Sequence, residues 1–345
     1  MPVKNLAFLY NVRHHYPDPD DPASQVETDF DDPQTIECII GHLEGCGYSV
    51  IPIEADPQAY LALQARTADI DLVFNYSMGI HGAARYAQLP AMLEMLRLPY
   101  TGSDPLTQAL VMNKGKMQEV LAANGIAVLP SQVFLTPDDA LRAALTYPLI
   151  VKPLAQGSSA GITSKSVVHN AVELADRVSE TLRAFSEPAL VQPFLEGREF
   201  SVPMLGNPPC ILPAIEPDFN KLPDGYARLD SLEIKWIFEE QAETHHLVCP
   251  ADIDAHTGQR IATLVRRTWD ALQIKDWCRI DLRCDRDGNM YVLDVNSPPG
   301  IIPPEISTTS YFPMSARAAG IAYRDLLRQV IDAASTRYRL APTRR

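Results

Sequence analysis

The stretch Arg279-Ile-Asp281-Leu-Arg-Cys-Asp-Arg-Asp-Gly288-Asn-Met-Tyr-Val-Leu-Asp294-Val-Asn296-Ser-Pro-Pro-Gly300 reads as a β-hairpin. Arg279 to Cys284 is one strand and Met290 to Val295 is the other. Asp285-Arg-Asp-Gly288 makes the turn, where Gly288 is free to take positive φ. Side chains alternate across a strand, so Arg279 and Asp281 share one face, and Asp294 and Asn296 share a face of the second strand. If the pairing aligns them, one surface carries three oxygen ligands beside a fixed cation. Hard oxygen donors of this kind suit Mg²⁺, which is usually held by one or two carboxylates plus nucleotide phosphates. The alternative is a solvated hairpin face, but charged groups on an otherwise apolar strand usually have a task.

The hairpin resembles the metal-binding end of the ATP-grasp fold. The resemblance is closest to the D-alanine–D-alanine ligase family, whose members have Arg-x-Asp, then an acid-x-Asn, then Ser-Pro-Gly. Other stretches match in the same order. Pro99-Tyr-Thr-Gly-Ser103 is followed by Met112-Asn-Lys114, and Pro148-Leu-Ile-Val-Lys152-Pro by Gln156-Gly-Ser-Ser-Ala-Gly161. Val191-Gln-Pro-Phe-Leu-Glu-Gly-Arg-Glu199-Phe comes next. The match runs from about Leu72 to Ile331; each motif alone is weak, and the ordered set is strong. It implies an α/β chain, α+β in its ATP-grasp part, with an N-terminal parallel-sheet domain followed by a two-subdomain ATP-grasp fold.

The chain has 345 residues, enough for two or three compact domains. Apolar residues make up 46% and charged residues 21%, an ordinary globular balance. The net charge of −13 argues against a general nucleic-acid surface, which would need a basic face. It does not argue against ATP, which a local cluster of lysine, arginine and Mg²⁺ can hold. The six cysteines show no Cys-x-x-Cys pair and no zinc spacing. No secretory segment opens the chain and no apolar run approaches about 18 residues, so a membrane role is not expected and a reducing cytoplasm is.

Short apolar strands at Leu6–Tyr10, Tyr48–Ile53 and Asp71–Tyr76 alternate with helical spacing at Thr35–Leu43, Tyr60–Ala65 and Tyr86–Leu96. This β-α-β-α order implies a parallel sheet with helices on its faces. Pro17–Pro33 is a Pro- and Asp-rich loop. Thr107–Asn124 reads as one helix stopped by Gly125, and Arg317–Ala334 as another. Leu149–Lys152 and the start at Val167-Val168 are strands around a glycine/serine loop, Ala171–Ala184 is a helix, and Val191–Phe194 is a hinge. The polar segment Glu216–Glu243 has the length of a lid. Helix Thr257–Leu272 is expected to pack near the hairpin. Domain borders are placed at 1–103, 104–190 and 191–345.

The resemblance implies a role for each site residue. Lys114 and Lys152 match the lysines that contact ATP phosphates, and Gly157, Ser158 and Ser159 match the phosphate lid. Gln192, Phe194 and Leu195 match the adenine hinge, with Pro193 among them, and Glu199 matches the ribose-binding acid. Asp281, Asp294 and Asn296 match the ligands of Mg²⁺ or Mn²⁺, two ions in the family's pattern. Asp294 stands where the family usually has Glu, one methylene longer, which bears on whether two ions are bridged. Arg279, the amide of Gly300 and the lid residue Lys235 match the catalytic groups.

The departures concern substrate. The family's glycine-rich N-terminal motif, with its amine-binding glutamate, is missing from Tyr10-Asn-Val-Arg-His-His15-Tyr-Pro. A lid tyrosine is replaced by Trp236. His81 matches a family histidine in a different context. After Gly300 the loop is several residues longer, with Ser310 where a family serine binds the second substrate's carboxylate. The expected activity is therefore an ATP- and Mg²⁺-dependent carboxylate–amine ligase acting on small amino-acid-like substrates through an acyl phosphate, and not making D-alanyl-D-alanine. A genuine D-alanine–D-alanine ligase and a non-catalytic ATP-binding regulator are the alternatives, and a homodimer is left open.

Overall fold

Leu6, Ala7, Phe8 and Leu9 are apolar without alternation, the pattern of a strand buried on both faces. They form the middle of β1 (Asn5–Tyr10), the central strand of a parallel sheet in the order β2-β1-β3, with β2 (Ser49–Glu54) and β3 (Leu72–Asn75). This is a computed structural model that describes residues 3–18, 20–222, 226–235 and 246–340. Helices α1 (Pro33–Gly45), α2 (Ala59–Ala65) and α3 (Gln88–Met95) complete the alternation read from sequence. On α1, Ile36, Ile39 and Leu43 are the buried stripe.

The helix expected over Thr107–Asn124 is two helices. Asn113 leaves helical geometry with ψ near 92° and its side chain caps the Lys116 amide, ending α4 (Pro105–Met112) and starting α5 (Lys114–Ala123). Asparagine competes well for such a cap, and apolar spacing alone does not reveal the break. Beyond it lies an antiparallel sheet in the order β4-β7-β5-β6, from β4 (Gln132–Phe134), β5 (Leu149–Pro153), β6 (Val167–Val168) and β7 (Ala189–Pro193). Helix α6 (Ala171–Phe185) covers one face through Leu174 and Val178.

A second antiparallel sheet follows in the order β13-β12-β8-β9. It contains β8 (Glu199–Leu205), β9 (Cys210–Ile211), β12 (Trp277–Cys284) and β13 (Met290–Asn296). The short pair β10 (Glu216–Pro217) and β11 (Leu247–Val248) flanks it. Helix α7 (Ala255–Leu272) and α5 fill one face of this sheet with Ile261, Val265, Trp269, Met117 and Leu121. The terminal helix is also divided, into α8 (Tyr311–Ala318) and α9 (Tyr323–Arg337), around Gly320 at φ 78°. Leu326, Leu327 and Val330 of α9 join Phe8, Phe74 and Trp277 in one core, so the chain's end closes over its first sheet. Among the described residues no helix is long and apolar enough to cross a membrane.

Candidate active site

The hairpin is the floor of the site. Along β12, Cys278, Ile280 and Leu282 turn into the core beneath α7, so the alternate residues Arg279, Asp281 and Arg283 face the other way. On β8 the same alternation buries Phe200 and Val202 and sets Glu199 and Ser201 beside them. Arg279 pairs across the strands with Asn296, and Asp281 with Asp294. A bulge follows: Leu282 pairs with Val292, and the skipped Leu293 joins Asp294 in lining a cavity of about 670 Å³.

Lys114 and Lys152 enter this cavity from the side facing the hairpin. Lys114 opens α5, where a cation works against the helix dipole. It is buried, bonded to the Gln156 carbonyl at 2.6 Å and paired with Asp294 at 3.2 Å. Lys152 differs: its ammonium makes no hydrogen bond or ion pair with another described residue. Burial pushes its pKa down to about 8, with Asp294 opposing and Lys114 adding to the fall.

Gly157, Ser158 and Ser159 form the rim, both serines at positive φ. Lys235, from the described part of the lid, bonds Ser159 Oγ at 3.0 Å and Asp230 at 2.9 Å. Burial works against its charge, but Asp230 outweighs this and raises its pKa. Phe194 and Leu195, with Pro193, Ile150 and Leu293, make an apolar wall. Glu199 lies at its edge, paired with Arg283; burial raises the carboxyl's pKa against that pairing.

Arg279 grips Asp281 with two bonds, at 2.8 and 2.9 Å. Burial alone would raise the Asp281 pKa, but this guanidinium holds it low. Ser201 and Asn296 donate to the same carboxylate at 2.7 and 2.9 Å. Gly300 and Ser310 also line the cavity. The segment after Gly300 is anchored where the Tyr76 hydroxyl accepts from the Ile301 amide at 3.2 Å.

Gln192 and His81 are not among the lining residues. Gln192 turns into the core and bonds Gln118 at 2.7 Å, so the wall begins at Pro193. His81 is exposed, with its carbonyl held by Gln88. Trp236 lies outside the described residues.

Several lining residues escaped the sequence reading. Arg283 had a usable signal, since it continues the alternation of Arg279 and Asp281. Tyr311 and Asp230 had none: Tyr311 bonds Asp230 at 2.9 Å and lies under the Arg279 guanidinium, 4.9 Å from ring centre. The Pro/Asp-rich loop is not a peripheral spacer. It contains a short 3₁₀ turn (Pro22–Glu27) and brings Asp29, Asp31 and Asp32 to the cavity. Gln25 accepts from the Gly161 amide at 2.7 Å, and Asp29 bonds Ser158, Arg85 and Tyr86. A divalent cation fits the donor chemistry of the hairpin, two carboxylates and a carboxamide on one face.

The cavity is walled by residues of both antiparallel sheets, and fold and family together define an ATP-grasp protein. The family described as D-ala D-ala ligase C-terminus matches residues 120–332. The uncharacterized protein y4sG of Sinorhizobium fredii is 31% identical over 336 residues, spanning 94% of this chain and 92% of its own. The D-alanine–D-alanine ligase of Haemophilus influenzae is 32% identical over 293 residues, spanning 83% and 90%. The crystal structure of D-alanine–D-alanine ligase from Bacillus anthracis complexed with ATP has a TM-score of 0.70 at 22% identity, covering 97% of this chain and 98% of that one. The chain belongs to the D-alanine–D-alanine ligase family, and it is an ATP-dependent carboxylate–amine ligase of the peptide-bond-forming type.

Proposed function

We propose that this ligase joins an amino acid or related carboxylate to an amine through an acyl phosphate, and that the pair is not D-alanine with D-alanine. One observation supports the placement of ATP: the ammonium of Lys152, half-buried on the cavity wall, has no partner among the described residues. An unpaired cation that has lost part of its hydration is costly, and a phosphate oxygen would relieve it. Lys114, the amides of the glycine loop and Lys235 surround the same space. The apolar wall at Phe194 and Leu195 suits the base, and Glu199 suits the ribose hydroxyls. Asp281, Asp294 and Asn296 would hold Mg²⁺, two ions in this reading, whose bound charge neutralises phosphate oxygens.

An oxygen of the substrate carboxylate attacks the γ-phosphorus, the bond to the ADP oxygen breaks, and acyl phosphate forms. The amine nitrogen then attacks the carbonyl carbon. Its oxygen gains negative charge, which Arg279 and the Gly300 amide would receive in this reading. Collapse expels phosphate, and the nitrogen gives up a proton. The glycine loop and the lid bearing Lys235 keep water from the acyl phosphate.

Specificity rests on the first-substrate end. A small amino acid there needs its ammonium paired. Of the nearby acids, Asp29 is committed to Arg85 and Tyr86 and Asp31 is bonded to Tyr76, while Asp32 meets Arg13 through Oδ2 at 3.4 Å and keeps a buried Oδ1 without a partner. Glu27 is spent on the His14 and His15 amides, at 2.6 and 2.8 Å. The first substrate therefore lacks a free α-amino group at that position, or binds it differently from the family, against the unpartnered Oδ1 of Asp32 or beside Asp31, whose carboxyl burial lifts to about 6. Steady-state kinetics with D-alanine as sole amino acid decide the matter. A kcat/KM of about 10⁴ M⁻¹s⁻¹ or above, the ordinary enzyme range, overturns this specificity. A mass-spectrometric screen of amino-acid pairs with ATP and Mg²⁺ then identifies the product.

A further inference from the structure

Outside the cleft, one group of side chains has the makings of a second metal centre. Cys38 and His42 are four residues apart on α1, which sets them one above the other on a single face. Glu305 reaches them from the segment between Gly300 and α8, the stretch that is longer here than the family pattern. Their potential ligand atoms all lie within 4.8 Å of one another, and among the described residues no other such trio occurs. Glu305 Oε1 is 3.3 Å from His42 Nε2. Glu305 is exposed while the other two are half-buried, so an ion has a path from solvent.

We propose that Cys38, His42 and Glu305 bind a transition-metal ion, with Zn²⁺ the natural occupant. A thiolate, an imidazole and one carboxylate make a borderline-soft set, which favours Zn²⁺ or Co²⁺ over Mg²⁺ and Ca²⁺. Three protein ligands leave a fourth, solvent-facing position for water. On binding, the Cys38 proton passes to solvent as the sulfur–metal bond forms.

The surroundings bear on affinity. Arg324 Nε lies 3.4 Å from His42 Nδ1, and the Tyr323 ring packs edge-on against the imidazole with centroids 4.8 Å apart. Arg324 can only donate, so Nδ1 accepts and the imidazole proton rests on Nε2. Coordination through Nε2 moves that proton to Nδ1, where it needs an acceptor. Arg324 therefore weakens the site, and Arg324→Gln supplies a carbonyl that strengthens it. The site has a structural consequence as well. It fastens α1 to the segment that carries Ser307–Ser310 along the cavity wall.

The test uses the full-length protein, stripped of metal and then saturated with Mg²⁺ to occupy the cleft. Titration with Co²⁺ is expected to give a near-ultraviolet thiolate-to-metal absorption at one ion per chain, displaced by Zn²⁺. The band is lost in Cys38→Ser, weakened in Glu305→Gln and kept in Cys46→Ser, the control for the neighbouring thiol. Arg324→Gln tightens Zn²⁺ binding. Zn²⁺ at ten times its Kd should slow amide exchange over residues 301–310 about tenfold in the wild type and not in Cys38→Ser. No thiolate absorption with Co²⁺, or binding unchanged in both Cys38→Ser and Glu305→Gln, overturns the proposal. Loss of signal in a folded Cys46→Ser protein would place the ion elsewhere and overturn it too.

Discussion

In the proposed reading, Lys152 is the residue on which nucleotide binding turns. Replacing it with alanine removes an ammonium that has no partner among the described residues and should weaken ATP by about 2 kcal/mol or more, roughly thirtyfold in Kd. Calorimetric titration checks this, and unchanged affinity in a folded variant refutes the assignment. The lowered pKa adds a pH signature. The folded protein releases this proton near 8, while the unfolded chain holds it to about 10.5, so the unfolded state binds more protons between those values. Stability of the free protein should therefore rise with pH across that window as far as this group decides it. ATP affinity should move oppositely, falling above pH 8 as the cation is lost, and the fall should vanish in Lys152→Met. At the hairpin, Asp281→Asn should lose most turnover while the fold survives, since it removes a carboxylate ligand and loosens Arg279; full activity of the wild type in EDTA would exclude a metal role. Asp294→Glu should keep substantial activity. The residues that motifs exposed, such as Lys152 and Asp281, sit on regular strands whose alternation fixes their direction. Asp230, Tyr311 and Asp31 sit on irregular segments, where direction depends on tertiary contacts that no local pattern encodes.

At the scale of elements, the strands of the first sheet and of the hairpin were legible, whereas β7, read as a hinge over Val191–Phe194, the unplaced β4 and β8, and the helix breaks were not. The β12–β13 pairing follows from alternation and the Gly288 turn, but the bulge that admits Leu293 beside Asp294 leaves no mark in composition. The two helices read as continuous, over Thr107–Asn124 and Arg317–Ala334, are each divided, because Asn113 and Gly320 act through capping and positive φ rather than through apolar spacing. Glycine positions separate local strain from crowding. At Gly288, φ is 80° and an added Cβ meets nothing within 4 Å, so Gly288→Ala should cost about 1 kcal/mol of stability and leave ATP binding alone. At Gly161, φ is 67° and the Cβ would come within 2.6 Å of Phe185 and 2.7 Å of Pro153. Gly161→Ala should displace the glycine loop and raise the KM for ATP as well as lowering Tm. Thermal melts beside ATP saturation curves distinguish the two cases.

Across the whole molecule, Asp276 joins distant parts of the chain. Its fully buried carboxylate accepts from the Gly102 amide at 2.8 Å, from Asn207 at 2.5 Å and from Arg337 at 2.7 Å. These contacts tie the exit of the first sheet, the turn after β8 and the end of α9 to the start of β12. Asp276→Ala strands Arg337 and should destabilise the protein by about 3–5 kcal/mol, with Tm falling and residual activity at low temperature keeping its KM for ATP. Element order does not reveal this tie, because its partners are separated by 174, 69 and 61 positions.

The bond from the Gly161 amide to Gln25 means that the glycine loop and the Pro/Asp-rich loop are not seated independently. Whatever free energy ATP contributes to seating one, it contributes to seating the other, which carries Asp31 into the cavity. Thermodynamic reciprocity then requires the first substrate to tighten ATP by the same factor that ATP tightens it, typically about 1–3 kcal/mol in systems coupled this way. Gln25→Ala should lower that factor, with the Asp29–Ser158 bond carrying the remainder, while leaving each ligand's separate affinity nearly intact. The ligase would then fill its two sites more as strangers than as partners, and a weaker dependence of each ligand's saturation on the other would be the sign of it.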